Sequence, residues 1–140
     1  MGREGVLIDT SAWIDFFRDR SPVADAVERL LAEGQALRCG PVDLELRRGL
    51  RAAEATRVIP VLWALEELPC EAIDFASAGD LLRSLRAGGV TLPSMDGLIA
   101  ALALRHDVPV LTVDRDFEAV PDLRSWPLDG APPQQPDRSP

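Results

Sequence analysis

At 140 residues and 15.2 kDa the chain is near the usual size of one domain, and it is long enough to bury an ordinary core without disulfides or a structural metal. Hydrophobic residues make up 46% and charged residues 27%, a globular composition, and no stretch approaches the ~20 apolar residues needed to cross a bilayer. The net charge of −8 and pI near 4.6 predict weak non-specific nucleic-acid binding but exclude no acidic site that is loaded with cations, and the N-terminus lacks an apolar secretion segment, so the chain reads as soluble and cytoplasmic.

In chain order, Val6-Leu7-Ile8 is a compact apolar run that suits a buried parallel strand and ends in Asp9. A helical turn over Ala12–Phe17 follows. Ser21-Pro22 predicts a helix start, with Ser as cap and Pro as first helical residue, and Gly34 predicts its end. Ala36–Cys39 reads as a second short strand, and Gly40-Pro41 opens a helix carrying Glu45. The apolar spacing of Val58, Val61, Leu62 and Leu65 predicts a helix over Arg57–Leu68, and Ala78, Leu81, Leu82 and Leu85 predict another over Asp74–Arg86. Ser94 is the expected cap of the most apolar helix, Met95–Arg105. Val108–Val113 reads as a β run ending before Asp114, and Leu123–Leu128 as an edge strand. From residue 129 to 140 the sequence is rich in Pro, Gln and charge, the composition of a disordered tail. Strands alternating with helices predict an α/β domain over residues 1–128, built on a mainly parallel sheet of four to five strands.

In such sheets ligands gather at the carboxyl ends of the strands. Asp9 and Asp114 sit at strand ends, while Glu45 and Asp96 lie in the first turns of helices, so one sheet edge gathers all four. Carboxylates packed together repel unless a cation compensates, and an all-oxygen set favours Mg²⁺ or Mn²⁺ over zinc. Rival chemistries are few. Every basic residue is arginine, which excludes P-loop and Schiff-base lysines; His106 is the single histidine; and Cys39 and Cys70 form no C-x-x-C pair. Taken singly, Asp9 and Asp114 are also ordinary turn or cap residues, Asp96 a favourable first-turn charge, and Glu45 a partner for Arg48 three residues on.

The local sequences resemble a known family. Leu7-Ile8-Asp9-Thr10-Ser11-Ala12-Trp13-Ile14, Asp43-Leu44-Glu45-Leu46-Arg47-Arg48-Gly49, Ser94-Met95-Asp96-Gly97-Leu98-Ile99-Ala100-Ala101 and Leu111-Thr112-Val113-Asp114-Arg115-Asp116-Phe117 resemble, in order, the four motifs of PIN domains, and in detail the VapC toxins of type II toxin–antitoxin modules. The resemblance implies a three-layer α/β/α fold. Asp9, Glu45, Asp96 and Asp114 would then hold Mg²⁺ or Mn²⁺, with Asp116 and Ser11 auxiliary and Arg115 and Arg48 contacting RNA phosphates. It further implies an endoribonuclease in which metal-activated water attacks a phosphodiester in line, Glu45 helping to position or deprotonate that water. The implied assembly is a homodimer inhibited by a VapB-type antitoxin, as a heterotetramer or larger. The alternatives are a PIN-type DNA or flap nuclease and a catalytically silent PIN domain acting as a binding module. Gly97 departs from the bulkier residue usual after the third acid. Trp13, Phe16 and Phe17 are expected in the core or at an interface, His106 at a helix C-terminus, and Leu62, Trp63 and Leu65 at a dimer face or antitoxin groove.

Overall fold

The computed structural model describes residues 4–128; the Pro-rich stretch 129–140 lies outside the described residues. Four parallel strands form one sheet in the order β3-β2-β1-β4, with β1 Val6–Ile8, β2 Ala36–Cys39, β3 Glu66–Leu68 and β4 Val110–Leu111. Between them run α1 (Thr10–Phe17) and α2 (Val23–Ala32), α3 (Gly40–Gly49) and α4 (Ala52–Trp63), then α5 (Ala72–Ala87) and α6 (Ser94–His106), with a 3₁₀ turn over Arg115–Ala119. The chain steps outward from β1 to β2 to β3, then crosses back to place β4 on the other side of β1. Right-handed crossovers therefore set α1–α4 on one face and α5–α6 on the other, giving the expected three layers. The β1–β4 pair is where connections diverge to opposite faces, the position at which open α/β sheets bind ligands. Asp9 follows one of these strands and Asp114 lies just beyond the other.

Val6, Leu7 and Ile8 are all buried, as a strand covered on both faces requires. Around them pack Trp13, Val27, Leu30, Leu46, Leu62, Ile99 and Leu102. Trp13 stacks on Phe17 (centroids 5.8 Å apart) and meets Phe16 edge-on at 6.0 Å; Trp13 is a core residue, and the half-buried Phe16 and Phe17 pack against the core from its edge.

Several expected boundaries are corrected. Ser21 caps nothing: α2 begins at Val23 with Pro22 in the cap position. Gly34 does end it, at φ +68°, a backbone angle that other residues enter at a penalty. Pro93, not Ser94, is the cap of α6, and Ser94 is its first helical residue. The predicted helix over Arg57–Leu68 is two elements. α4 stops at Trp63, and Glu66–Leu68 become the edge strand β3, paired Leu37 to Glu66 and Cys39 to Leu68. Arg38 secures that join, donating from Nε to the Leu65 carbonyl (3.2 Å) and pairing with Glu67 at 3.7 Å. The six-residue β run is only Val110–Leu111, because the Val108 amide instead caps α6 by donating to the Ala103 carbonyl at 3.0 Å. The expected edge strand over Leu123–Leu128 is a single parallel bridge, Val110 to Ser125.

Gly97 has a packing reason. A Cβ there would stand 2.7 Å from both Cγ and Cδ2 of Leu82, so α5 and α6 approach at a distance only glycine permits. Gly97→Ala gains about 1 kcal/mol of helix propensity but forces overpacking that costs about 1–3 kcal/mol. Net destabilisation is expected by chemical denaturation. A cycle with Leu82→Ala should show the alanine better tolerated beside the shortened neighbour, by at least about 0.5 kcal/mol. Additive effects would show that the approach is unimportant.

Candidate metal centre

Five carboxylates from separated parts of the chain converge at the switch point. Ligand oxygens of Asp9, Glu45 and Asp96 lie within 4.8 Å of one another, and so do those of Asp96, Asp114 and Asp116. Asp96 is common to both groups. Asp9 comes from the end of β1, Glu45 from α3, Asp96 from the first turn of α6, and the other two from the loop after β4 and its 3₁₀ turn. The sequence-predicted quartet and its auxiliary acid are therefore in one place.

Hydroxyls hold this set in a defined orientation. Ser11 Oγ and Thr112 Oγ1 both donate to Asp9 Oδ2, at 2.8 and 2.9 Å. Thr112 Oγ1 in turn accepts the Asp114 amide at 2.9 Å, and Ser11 Oγ accepts the Val113 amide at 3.2 Å. The loop after β4 is thereby fastened to the end of β1 through Asp9. Thr10 Oγ1 donates to Glu45 Oε1 at 2.9 Å, and the Asp116 amide donates to Asp114 Oδ1 at 2.9 Å. Each of Asp9, Glu45 and Asp114 thus has one oxygen engaged by the protein. Among the described residues no hydrogen bond reaches the other oxygen.

The single-residue alternatives now separate. Asp9 occupies the cap position of α1 but makes no side-chain cap bond, and Glu45 is held by Thr10 rather than by Arg48. Asp114 does cap the 3₁₀ turn, with one oxygen only. Asp96 stands apart. It is 9% exposed, and among the described residues its carboxylate has neither hydrogen-bond donor nor ion-pair partner. Its place in the first turn of α6 favours the charged form through the helix dipole. Burial opposes that, and the surrounding Asp9, Asp114, Glu45 and Asp116 add to it; together they push its pKa from 3.8 up to about 7. A nearly buried carboxylate, without a donor and shared by two acidic groups, fits a cation with hard oxygen ligands. No arginine reaches ion-pair distance of any of the five acids among the described residues.

Thr10 and Thr112 were not anticipated from sequence. A signal was present in each: Thr10 stands next to a strand-ending aspartate, and Thr112 lies two residues before another, the mirror of Ser11 after Asp9. Arg115 is exposed and pairs with Glu118 at 3.6 Å, while Arg48 is exposed on the last turn of α3. His106 ends α6, with Nε2 3.2 Å from the Pro69 carbonyl oxygen, far in function from the acids. Cys39 is buried, which pushes its thiol up to about 12 and leaves it unreactive; Cys70 is half-buried, and both are free. Of the expected partner face, Leu62 is buried and Leu65 half-buried. Trp63 is 59% exposed, with the guanidinium groups of Arg38 (4.9 Å) and Arg47 (5.7 Å) over its ring. No helix of the described residues is long and apolar enough to cross a membrane.

The PIN domain family model matches residues 6–123. Ribonuclease VapC11 of Mycobacterium tuberculosis and VapC ribonuclease Mb1587 of Mycobacterium bovis are each 38% identical to this chain over 121 residues, spanning 82% of it and 90% of their own length. Among solved structures, DNA-bound VapBC from Salmonella typhimurium superposes with a TM-score of 0.76 at 19% identity, covering 90% of this chain and 99% of that one. VapBC2 from Rickettsia felis, bound to a promoter DNA fragment, gives 0.73 at 19% identity over 87% and 98%. The structural likeness carries the fold and the sequence identity carries the kinship: this chain belongs to the PIN-domain family, among the VapC ribonucleases.

Proposed function

We propose that this chain is the toxin of a type II toxin–antitoxin module, a Mg²⁺- or Mn²⁺-dependent endoribonuclease acting in the cytoplasm. The carrying observation is the convergence of Asp9, Glu45, Asp96, Asp114 and Asp116 on one switch point, with Asp96 shared between two groups of potential ligands. Asp9, Glu45, Asp96 and Asp114 hold the ion or ions, each offering an oxygen that the fold leaves unbonded; Asp116 supports from the exposed side. A divalent ion bound there supplies Lewis-acid charge for an in-line displacement at phosphorus and a lowered water pKa.

The chain's own groups do the rest. Ser11 and Thr112 hold the Asp9 carboxylate by occupying Oδ2, leaving Oδ1 without a protein donor and free to take an ion. Thr10 does the same for Glu45, leaving its second oxygen to orient or accept a proton from the attacking water. Arg115, next to Asp114, and Arg48, three residues after Glu45 on α3, are both exposed and are the phosphate contacts that draw an RNA backbone toward an otherwise repulsive site. The identity with VapC ribonucleases supports RNA as substrate. The solved VapBC complexes support a VapB-type antitoxin partner; a toxin homodimer assembled with it belongs to the same proposal.

The test is cleavage of a structured RNA by the purified chain with Mg²⁺ or Mn²⁺. Cleavage should vanish with EDTA and in Asp9→Asn, and return when excess Mn²⁺ follows EDTA. Activity that survives both EDTA and Asp9→Asn overturns the reading.

A further inference from the structure

The site has an electrostatic problem that Arg115 and Arg48 address only in part: five acids meet an incoming polyanion. On the α5 side a feature of opposite sign adjoins it. An open cleft of about 490 Å³ lies between the C-terminal half of α5 and the segment leading into α6, lined by Arg83, Arg86, Leu82, Thr91 and Ser94 among others. It abuts the turn that bears Asp96. Ser94 is two residues before Asp96 in that turn, and Leu82 is the side chain against which Gly97 packs.

Two guanidinium groups three residues apart on α5 share one rim of this cleft, and two hydroxyls stand on the segment that forms its other wall. Arg83 is paired with Asp80 at 3.2 Å, an exposed contact of the kind that exchanges readily with a better anion. Arg86 is exposed in the last turn of α5 and has no ion-pair or hydrogen-bond partner among the described residues. With Asp80 counted, the cleft carries a net positive charge in a chain whose total is −8. Planar guanidinium forks and hydroxyls are the groups that bind phosphodiester oxygens, and contacts of this kind set position without reading sequence.

We propose that this cleft is a phosphate-binding subsite for single-stranded RNA, in which Arg83 and Arg86, assisted by Thr91 and Ser94, hold the backbone beside the nucleotide whose phosphate lies at Asp96. It rests on the ribonuclease reading and names where the substrate strand leaves the acidic centre. Arg83 and Arg86 are positioning residues in it, not catalytic ones.

The experiment is fluorescence anisotropy of a labelled single-stranded oligoribonucleotide of mixed sequence, titrated with the full chain in Ca²⁺ at several salt concentrations. For the double variant Arg83→Ala, Arg86→Ala the affinity should fall roughly tenfold, and the slope of log affinity against log salt should shrink by about 1–1.5. Arg83→Lys, Arg86→Lys should keep most of the slope, since the charge remains. Melting temperature and Mn²⁺ affinity should match the wild type in both variants, because neither arginine touches the acids or the core. An unchanged affinity and slope in the alanine variant, with the wild type binding and cleaving RNA, overturns the subsite alone. A wild type that neither binds nor cleaves RNA overturns the ribonuclease reading and the subsite with it.

Discussion

Replacing Asp96 with asparagine is expected to abolish cleavage while making the metal-free protein more stable at pH 8. Its folded pKa, about 7, lies above the 3.8 of an unperturbed aspartate. The folded state therefore binds this proton more tightly than the unfolded state, and stability falls as pH rises between about 4 and about 7. Above pH 7 the whole penalty is present: an ionised carboxylate held among four others with no donor. Asparagine removes the charge at nearly constant volume. The variant's advantage should be small at pH 4, grow through that window and level off above it, reaching about 5–10 °C in melting temperature. Divalent ions should invert the comparison. Mn²⁺ is expected to raise the melting temperature of the wild type by mass action and to leave the variant nearly unmoved. Cleavage should drop by more than about a hundredfold, since the acid common to both proposed ligand groups is lost. Thermal melts at pH 4 and pH 8, with and without Mn²⁺, check all of this. A variant less stable than the wild type at pH 8 without metal would show that Asp96 is not the repelled group described.

How far the sequence reached depended on how local each signal was. The acids were legible because strand ends and helix starts are marked by neighbours: the apolar Val6–Ile8 before Asp9, Gly40-Pro41 before Glu45. All four then came to one edge through a parallel topology that the alternation of strands and helices already implied. β3 was not legible. Glu66, Glu67 and Leu68 are too few to display alternation, and Leu62 and Leu65 continue the helical spacing of α4 across the break. Only the need of β2 for an edge partner, enforced by Arg38 through the Leu65 carbonyl and Glu67, makes a strand of them. The length of β4 was misjudged for a related reason. Val108 is apolar like a strand residue, yet its amide closes the last turn of α6. The clasp of Asp9 by Thr112 spans 103 residues and has no local trace beyond a hydroxyl at the right offset. Gly97 looked like a weakness in a ligand-bearing helix. It proves to be the contact that lets α6 lie close to α5, a property of a second helix that no reading of the motif alone contains.

The same helix pair is held at its other end by an ion pair whose disruption should be the largest loss of stability away from the acidic centre. Arg105 of α6 grips Asp74 of α5 with two hydrogen bonds, Nε to Oδ1 at 2.6 Å and Nη2 to Oδ2 at 2.8 Å, and Nη2 also donates to the Pro69 carbonyl. Asp74 is fully buried, and its Oδ2 accepts the Glu71 amide at 2.8 Å as well, tying the start of α5 to the pair. The guanidinium beside it, more than burial opposes, holds the Asp74 carboxyl below its ordinary pKa. Its contribution is therefore fully present above about pH 4 and lost as pH falls below that. Arg105→Ala strands the carboxylate in the interior, and the sign reverses: the Asp74 pKa rises, so the variant suffers most at neutral pH and recovers part of its deficit on acidification. A drop of about 5–10 °C in melting temperature is expected at pH 7, with a smaller gap to wild type at pH 4. Adding Asp74→Asn to Arg105→Ala should restore part of the loss at pH 7, because the amide leaves no buried charge and its oxygen still accepts the Glu71 amide. Asp96 titrates in the same range but is common to all three proteins, so it cancels from the differences. Melts of the three at pH 4 and pH 7 decide the matter: a deficit in Arg105→Ala that does not change with pH, or a double variant no better than the single one, would mean that Arg105 contributes through packing of its aliphatic stem and not through the charge it places against Asp74.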